Sequence, residues 1–262
     1  MVDLDRLKEG VRGKKLIVFG PPGSGKGNRS NDLKALGLVA ISAGIVLRNR
    51  LRDEPNSDLS KKVAYHMKKG ELVPSDIIVP IILGSLEQRD VLERGFVLDG
   101  FPRTRDQGKV LFSRIDSDLV LFLDVPRSFL TYGVIEGNRR VCPTCQKGYS
   151  DFDPPKEEGL CDICRSRLVK RLDDDASIIE KRLKDYDKQV KELLPLLEST
   201  GKFQKLSITV DKDEEIDERL LKKIKGEVYW VETDDGGKAR MLNLEGMRMR
   251  LYNLIWEIFV GS

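Results

Sequence analysis

The sequence of 262 residues contains no long apolar run. Its uninterrupted apolar stretches are all short, so the ~20 consecutive apolar residues that a membrane-spanning helix needs are missing. The opening residues, MVDLDRLKEGVRGKK, lack the apolar centre of a secretory leader, and a soluble cytoplasmic protein is expected. There is also no surplus of one charge. Lys and Arg number 46 against 43 Asp and Glu, a net charge of +3. That balance is unsuited to recruiting nucleic acid by bulk charge, so neither nucleic acid nor membrane is expected as a partner. Internal repeats and low-complexity tracts are absent, and apolar residues (40 %) recur along the whole chain, which excludes disorder. Histidine is almost lacking: His66 is the only one, falls mid-helix by pattern, and is given no role. Cysteine is scarce too, but its four copies are closely paired.

What is present begins with short strand-like runs. KLIVF (15–19), Phe96–Leu98 ending at Asp99, and LVLFLDV (119–125) are nearly all apolar, as buried parallel strands are. A weaker run covers 205–210. Segments 57–69 and 177–197 carry helical periodicity, and residues 1–14 read as a short helix or arm. Alternating strands and helices predict an α/β domain on a parallel sheet. Residues 138–170, rich in Cys, Pro, Gly and charge, read as a separate small module. After about Lys225, EVYWVET, the turn DDGG and KARMLNL predict a hairpin, and 245–260 a helix. Met247, Leu251, Leu254, Ile255 and Ile258 form that helix's apolar stripe, which packs on its own domain or meets a partner. A monomer is expected, with an oligomer contact through this helix as the alternative.

Directly after the first strand comes GPPGSGKG (20–27), the pattern G-x-x-x-x-G-K. Its glycines let the backbone curl so that several N–H groups face one anion. The following helix adds its N-terminal dipole, and Lys26 a mobile positive charge. This is a phosphate loop, with Gly23, Ser24, Gly25, Lys26, Gly27 and Asn28 as the residues that would hold a nucleotide. Gly27 stands where Ser or Thr usually follows and has no hydroxyl for magnesium. Mg2+ must then be held by nucleotide phosphates, water and a carboxylate from elsewhere, for which Asp99 is the candidate.

The cysteines form two C-x-x-C pairs, Cys142/Cys145 and Cys161/Cys164, with fifteen residues between the pairs. In a chain without a secretory leader this spacing reads as a metal site before it reads as disulfides. Four thiolates complete a closed tetrahedral Zn2+ site, structural rather than catalytic, although the chemistry of a four-thiolate site alone leaves iron open. Gln146 and Arg165 follow the second cysteine of each pair, where glycine is common.

Taken together, GPPGSGKG (20–27), SAGIVLR (42–48), GELVPSDI (70–77), GFVLDGFPRTRDQ (95–107), RRVCPTCQKGY (139–149), LVKRLDD (168–174) and EKRL (180–183) resemble the adenylate kinases and their nucleoside monophosphate kinase relatives, in the long form with a zinc-bearing lid. The resemblance implies a P-loop three-layer α/β/α fold with a five-stranded parallel sheet. It implies a core of 1–41, 74–137 and 171–225, a helical monophosphate-binding subdomain at 42–73, a zinc-ribbon-like lid at 138–170, and an extension at 226–262 outside the family pattern. The implied reaction is ATP + AMP ⇌ 2 ADP, with ATP-Mg2+ as donor, AMP as acceptor and structural Zn2+. Such chemistry needs phosphates held in line and charge offset on the moving oxygens, a task for permanently charged, bidentate arginines. By motif match Arg48 and Arg103 hold the monophosphate, Arg139 reaches the donor from the lid together with Gly148 and Tyr149, and Arg171 and Arg182 clasp the transferring group, with Asp173 and Asp174 fixing those arginines or the lid. Lys26, Asp99, Arg103, Arg139, Arg171 and Arg182 are thus the expected catalytic set. Ala43, Arg48, Glu71, Leu72, Val73, Gly100, Phe101, Pro102, Arg103, Arg171 and Arg182 would surround the acceptor, and Gln107 would hydrogen-bond its base.

Four positions depart from the pattern. Asn28 stands for a usual Thr, Ala43 for a Thr, Ile45 for an acid, and Gly133 lies near the place of a donor-contacting Arg. Ala43 is common in UMP/CMP kinases, which keeps a pyrimidine acceptor open. Ile45 and Gly133 keep open a nucleotide-binding regulatory protein with weakened catalysis. All matched motifs end before 226, so chemistry is expected not to need the extension.

Overall fold

The computed structural model describes residues 2–131, 138–145, 147–151, 154–170, 176–224 and 227–261. In chain order the strands are β1 (Lys15–Phe19), β2 (Val39–Ser42), β3 (Phe96–Asp99), β4 (Leu119–Asp124), β5 (Arg140–Val141), β6 (Gly148–Tyr149), β7 (Phe203–Ser207), β8 (Thr209–Asp211), β9 (Lys223–Ile224), β10 (Glu227–Val228), β11 (Trp230–Glu232) and β12 (Lys238–Met241). The helices are α1 (Leu4–Val11), α2 (Lys26–Ala35), α3 (Ala43–Asp53), α4 (Asp58–Lys68), α5 (Ser75–Leu86), α6 (Arg89–Arg94), α7 (Arg105–Arg114), α8 (Arg127–Thr131), α9 (Ala176–Glu198) and α10 (Leu244–Phe259). None of the helices among the described residues is long and apolar enough to cross a membrane.

The main sheet has five strands in the order β2-β3-β1-β4-β7, each pair parallel. Side chains alternate along each strand, so the buried strands feed two cores. Leu16, Val18, Leu119, Leu121 and Leu123 face Leu7 and Val11 of α1, Leu33 of α2, and Leu251 and Ile255 of α10. Ile17, Phe19, Phe96, Leu98 and Val120 face Leu47 of α3, Ile82 of α5, Leu111 of α7 and Leu193 of α9. This is the expected three-layer α/β/α arrangement. Helix starts follow local chemistry: Asp3, Ser57, Thr104 and Asn243 each accept backbone N–H bonds at the beginning of α1, α4, α7 and α10.

Two differences from the sequence reading matter. The edge strand β2, with the sequence VAIS, is too short and too mixed to stand out by pattern. The run 205–210 is not one strand. It leaves the main sheet after Ser207, passes through buried Ile208, and enters a second sheet as β8. That sheet has the order β11-β12-β8 and is antiparallel, so the foreseen hairpin (β11–β12) is extended by a strand from much earlier in the chain. The helix after it packs on its own chain: Leu251 and Ile255 are fully buried, and Tyr252 donates to the Asp32 carbonyl of α2 at 3.1 Å. At its first turn, Gly246 lets the helix sit against the Leu220 carbonyl, which any Cβ would meet at 2.4 Å.

Candidate active site

The glycine-rich loop leaves the carboxyl end of β1, the strand at which the sheet order turns back on itself, where open α/β sheets bind ligands. Gly25, at φ +83°, takes the left-handed conformation that starts α2 without a side-chain cap, which leaves the first N–H groups of α2 to a ligand. The Lys26 Nζ donates to the carbonyls of Gly20 (2.9 Å) and Pro21 (2.8 Å). Burial pushes the pKa of this amine down to about 7; Asp99 opposes the shift, while Arg103, Arg182 and Arg139 add to it. Four predicted catalytic groups therefore lie near enough for their charge to act on Lys26. Asp99 pairs in register with Val18 of β1, two residues before Gly20. Its carboxylate is buried, and Oδ1 has no hydrogen-bond partner among the described residues. A buried, unsatisfied carboxylate oxygen beside a phosphate loop fits a hydrated Mg2+ carried on a nucleotide.

The loop opens into a cleft of about 340 Å³. Gly23 to Asn28 line it, as do Ala43, Arg48, Glu71, Leu72, Val73, Asp99, Gly100, Phe101, Pro102, Arg103, Gln107, Arg139, Gly148, Tyr149 and Arg182. One wall lies at the ends of β2 and β3. There the Arg48 guanidinium folds over Gly44, and the Arg103 Nε donates to the Gly100 carbonyl at 2.8 Å. Gln107 is buried. Its Oε1 accepts the Arg103 backbone N–H (2.8 Å) and its Nε2 donates to Ser75 Oγ (3.3 Å), which leaves one donor and one acceptor valence of the carboxamide. Tyr149 lines the cleft. Its hydroxyl donates to Cys161 Sγ and accepts from the Asp162 N–H, so the phenol is committed to the cysteine cluster. Arg171, Asp173, Asp174 and Gly133 lie outside the described residues.

His66 has a setting that pattern did not reveal: its Nδ1 lies 3.4 Å from Glu71. Lys181, beside Arg182, donates to the Glu71 carboxylate and the Lys69 carbonyl, tying α9 to this loop. The hydrogen bond from Lys181 holds the Glu71 carboxyl below its ordinary pKa.

Away from the cleft, the Sγ atoms of Cys142, Cys145, Cys161 and Cys164 lie within 4.8 Å of one another, and all four thiols are free. The backbone N–H groups of Cys145 and Ile163 point at Cys142 and Cys161 Sγ, each at 3.4 Å. Burial disfavours the Cys161 thiolate, but the hydrogen bonds from Tyr149, Cys164 and Ile163 outweigh it and bring the thiol down to about 6. Four soft donors converging with N–H support fit a closed tetrahedral ion. Arg165, where glycine is common, takes φ +61°, the conformation for which glycine would be chosen.

Residues 18–202 match the family model for adenylate kinase. The chain is 33 % identical over 211 residues to the adenylate kinase of Clostridium novyi, covering 78 % of this chain and 94 % of that one. It is 36 % identical to that of Methanosarcina barkeri (78 % and 93 %) and 37 % to that of Methanosarcina acetivorans (77 % and 93 %).

The chain belongs to the adenylate kinase family.

Family membership accounts for the phosphate loop and the arginines around it, but not for the whole cleft. Ile208, Lys222, Met241, Leu242, Leu244 and Met247 also line it, all beyond residue 202. Sequence reasoning missed them. Five of them show only apolar character and Lys222 only a charge, and nothing local ties them to a loop some two hundred residues earlier.

Proposed function

We propose that the chain transfers a phosphoryl group reversibly from ATP to AMP, giving two ADP. The observation that carries this reading is the convergence of Lys26, Asp99, Arg103, Arg139 and Arg182 on one cleft at the phosphate loop. In this reading an oxygen of the acceptor monophosphate attacks the γ-phosphorus of the donor in line, and the bond from γ-phosphorus to the β,γ-bridging oxygen breaks. The loop N–H groups and Lys26 hold the donor phosphates. Arg48 and Arg103 hold the acceptor phosphate. Arg139 and Arg182, with Arg171, offset charge on the moving oxygens. Mg2+ carried with ATP supplies further charge neutralisation on the donor phosphates, and Asp99 is the residue that would hold its water shell.

The division of labour follows the expected segments: 42–73 closes over the acceptor and 138–170 over the donor. Cys142, Cys145, Cys161 and Cys164 would hold one Zn2+ that stabilises a lid too small to build its own core. Four free thiols suit a reducing cytoplasmic setting. Gln107 favours AMP, because its remaining donor and acceptor match the adenine edge.

Initial rates of ADP release with ATP and each of AMP, CMP, UMP and GMP test the reading. AMP is expected to give the highest kcat/KM. A pyrimidine monophosphate exceeding AMP would move the acceptor assignment to the UMP/CMP type. Nucleotide binding without transfer to any acceptor would replace the enzyme with a regulatory protein.

A further inference from the structure

The segment that leads into 138–170 is gripped from two sides. Helix α8 follows directly on β4 and is the last described element before residue 138. Its Phe129 lines the cleft, and further along the chain comes Arg139, whose charge acts on Lys26. Whatever holds α8 therefore sets the base from which 138–170 reaches the phosphate loop.

The first backbone N–H groups of a helix have no partner within it. The Arg127 N–H of α8 donates instead to Asp234 Oδ1 at 3.0 Å, in the turn between β11 and β12. Beside it, the Ser128 Oγ donates to the Glu232 carbonyl at 2.7 Å. The rings of Phe129 and Tyr229 meet edge to face, with centroids 6.5 Å apart. From the other side, Arg127 Nη1 donates at 2.9 Å to Asp187 Oδ1 of α9, the helix that carries Arg182.

The hairpin that grips α8 is itself firmly held. Its turn closes without Asp234: the Thr233 N–H donates to the Gly237 carbonyl (3.0 Å), the Gly236 N–H to the Thr233 carbonyl (2.9 Å) and the Gly237 N–H to Asp235 Oδ1 (3.2 Å). Strand β12 pairs with β8, which follows β7 of the main sheet. Between β7 and β8, the Ile208 N–H donates at 3.3 Å to the carbonyl of Asp124, the last residue of β4 before α8. The arm and the helix it holds thus share one anchor in the main sheet.

We propose that the C-terminal hairpin braces the donor-side module: Asp234 and the Glu232 carbonyl hold α8 through Arg127 and Ser128, so that 138–170 closes from a fixed base and brings Arg139 to the donor phosphates. Asp234 and Ser128 are positioning residues, and neither lines the cleft. Conformational freedom that must be given up on binding weakens it, so a loose base lowers donor affinity and leaves the acceptor side alone. This rests on the kinase reading for the role of 138–170 over the donor. It also revises the expectation that chemistry does not need the extension.

The test has two halves, both on the full chain. Hydrogen exchange without nucleotide should find that Asp234→Ala and Ser128→Ala each speed exchange in α8 and in β5–β6 by about fivefold, the scale of one lost helix cap, with α3 and α4 unchanged. Both side chains are exposed, so neither change opens the core. Initial rates at varied ATP and varied AMP should then show KM for ATP raised about fivefold and KM for AMP within about twofold of the parent. A loss of global stability would not produce that split. Asp234→Asn keeps an acceptor oxygen and should match the parent in both halves. Faster exchange confined to the hairpin, equal shifts in the two KM values, no shift in either, or an Asn variant that behaves like the Ala variant would overturn the proposal. A chain that shows the exchange pattern but transfers no phosphate would overturn the kinase reading and leave the brace standing.

Discussion

The phosphate cleft and the cysteine cluster are both places where polar groups converge, and they treat those groups in opposite ways. In the cleft, like charges are forced together. Lys26 is pushed down to about 7 by burial and by three guanidinium groups, and one oxygen of Asp99 is buried without a partner among the described residues. In the cluster, Cys142 and Cys161 receive N–H donors and Cys161 also the Tyr149 hydroxyl. The first arrangement is costly unless an anion offsets it; the second gathers four supported donors around one point. Unfavourable electrostatics among the protein's own groups mark the site that binds and turns over a ligand, whereas satisfied donors mark a site that holds structure.

The largest expected effect breaks the cleft alone. Lys26→Ala and Arg103→Ala should each lower kcat/KM by on the order of a thousandfold or more, the scale for losing one phosphate-directed cation. Thermal stability should not fall in either, because neither change opens the core. A melting temperature that drops along with activity would show that the cleft is structural after all.

Breaking the cluster should do the reverse. The purified protein is expected to hold about one zinc per chain, and Cys142→Ser to lose it and to melt at lower temperature, with little change in rate at low temperature. No metal by elemental analysis, or equal melting of variant and parent, would remove the contrast. A third change bears on what joins the two regions to the rest. Leu251→Ala, at the centre of the contact between α10 and the core, should cost about 2–5 kcal/mol of stability. A cost near zero in a denaturant titration would mean that α10 is only loosely applied.

The smallest effect sharpens the electrostatic half of the comparison. A lysine depressed to about 7 is mostly neutral at pH 8–9, where the triphosphate of ATP is ionised. Bound phosphate favours the ammonium form, so binding there takes up a proton, and affinity falls as pH rises, by at most about tenfold per unit. Calorimetry in two buffers of different ionisation heat reads this uptake directly. The absence of any uptake would mean that Lys26 is charged throughout and that its burial is relieved by groups outside the cleft.

Much of the site was legible because its chemistry is local. GPPGSGKG places five of the six candidate loop residues, Lys26 among them, in one stretch, and C-x-x-C sets two thiols within reach of one ion whatever the rest of the fold does. The acceptor arginines were legible only through their matched motifs, since Arg48 and Arg103 are separated by fifty-five positions and say nothing singly. Tyr149 adds what matching does not tell: the residue is on the cleft, and its hydroxyl is turned to Cys161.

The sequence by itself determined the class of fold, the phosphate loop, the thiolate set and the capped ends of the helices, because each depends on residues a few positions apart and on short-range backbone chemistry. Only the tertiary structure decided that β8 leaves the main sheet at Ile208 to pair with β12, and that Lys222, Met241 and Leu242 thereby come to line the same cleft as Gly23. Pairing between strands about thirty residues apart is set by which faces can be buried together, and burial is a property of the assembled layers rather than of any segment.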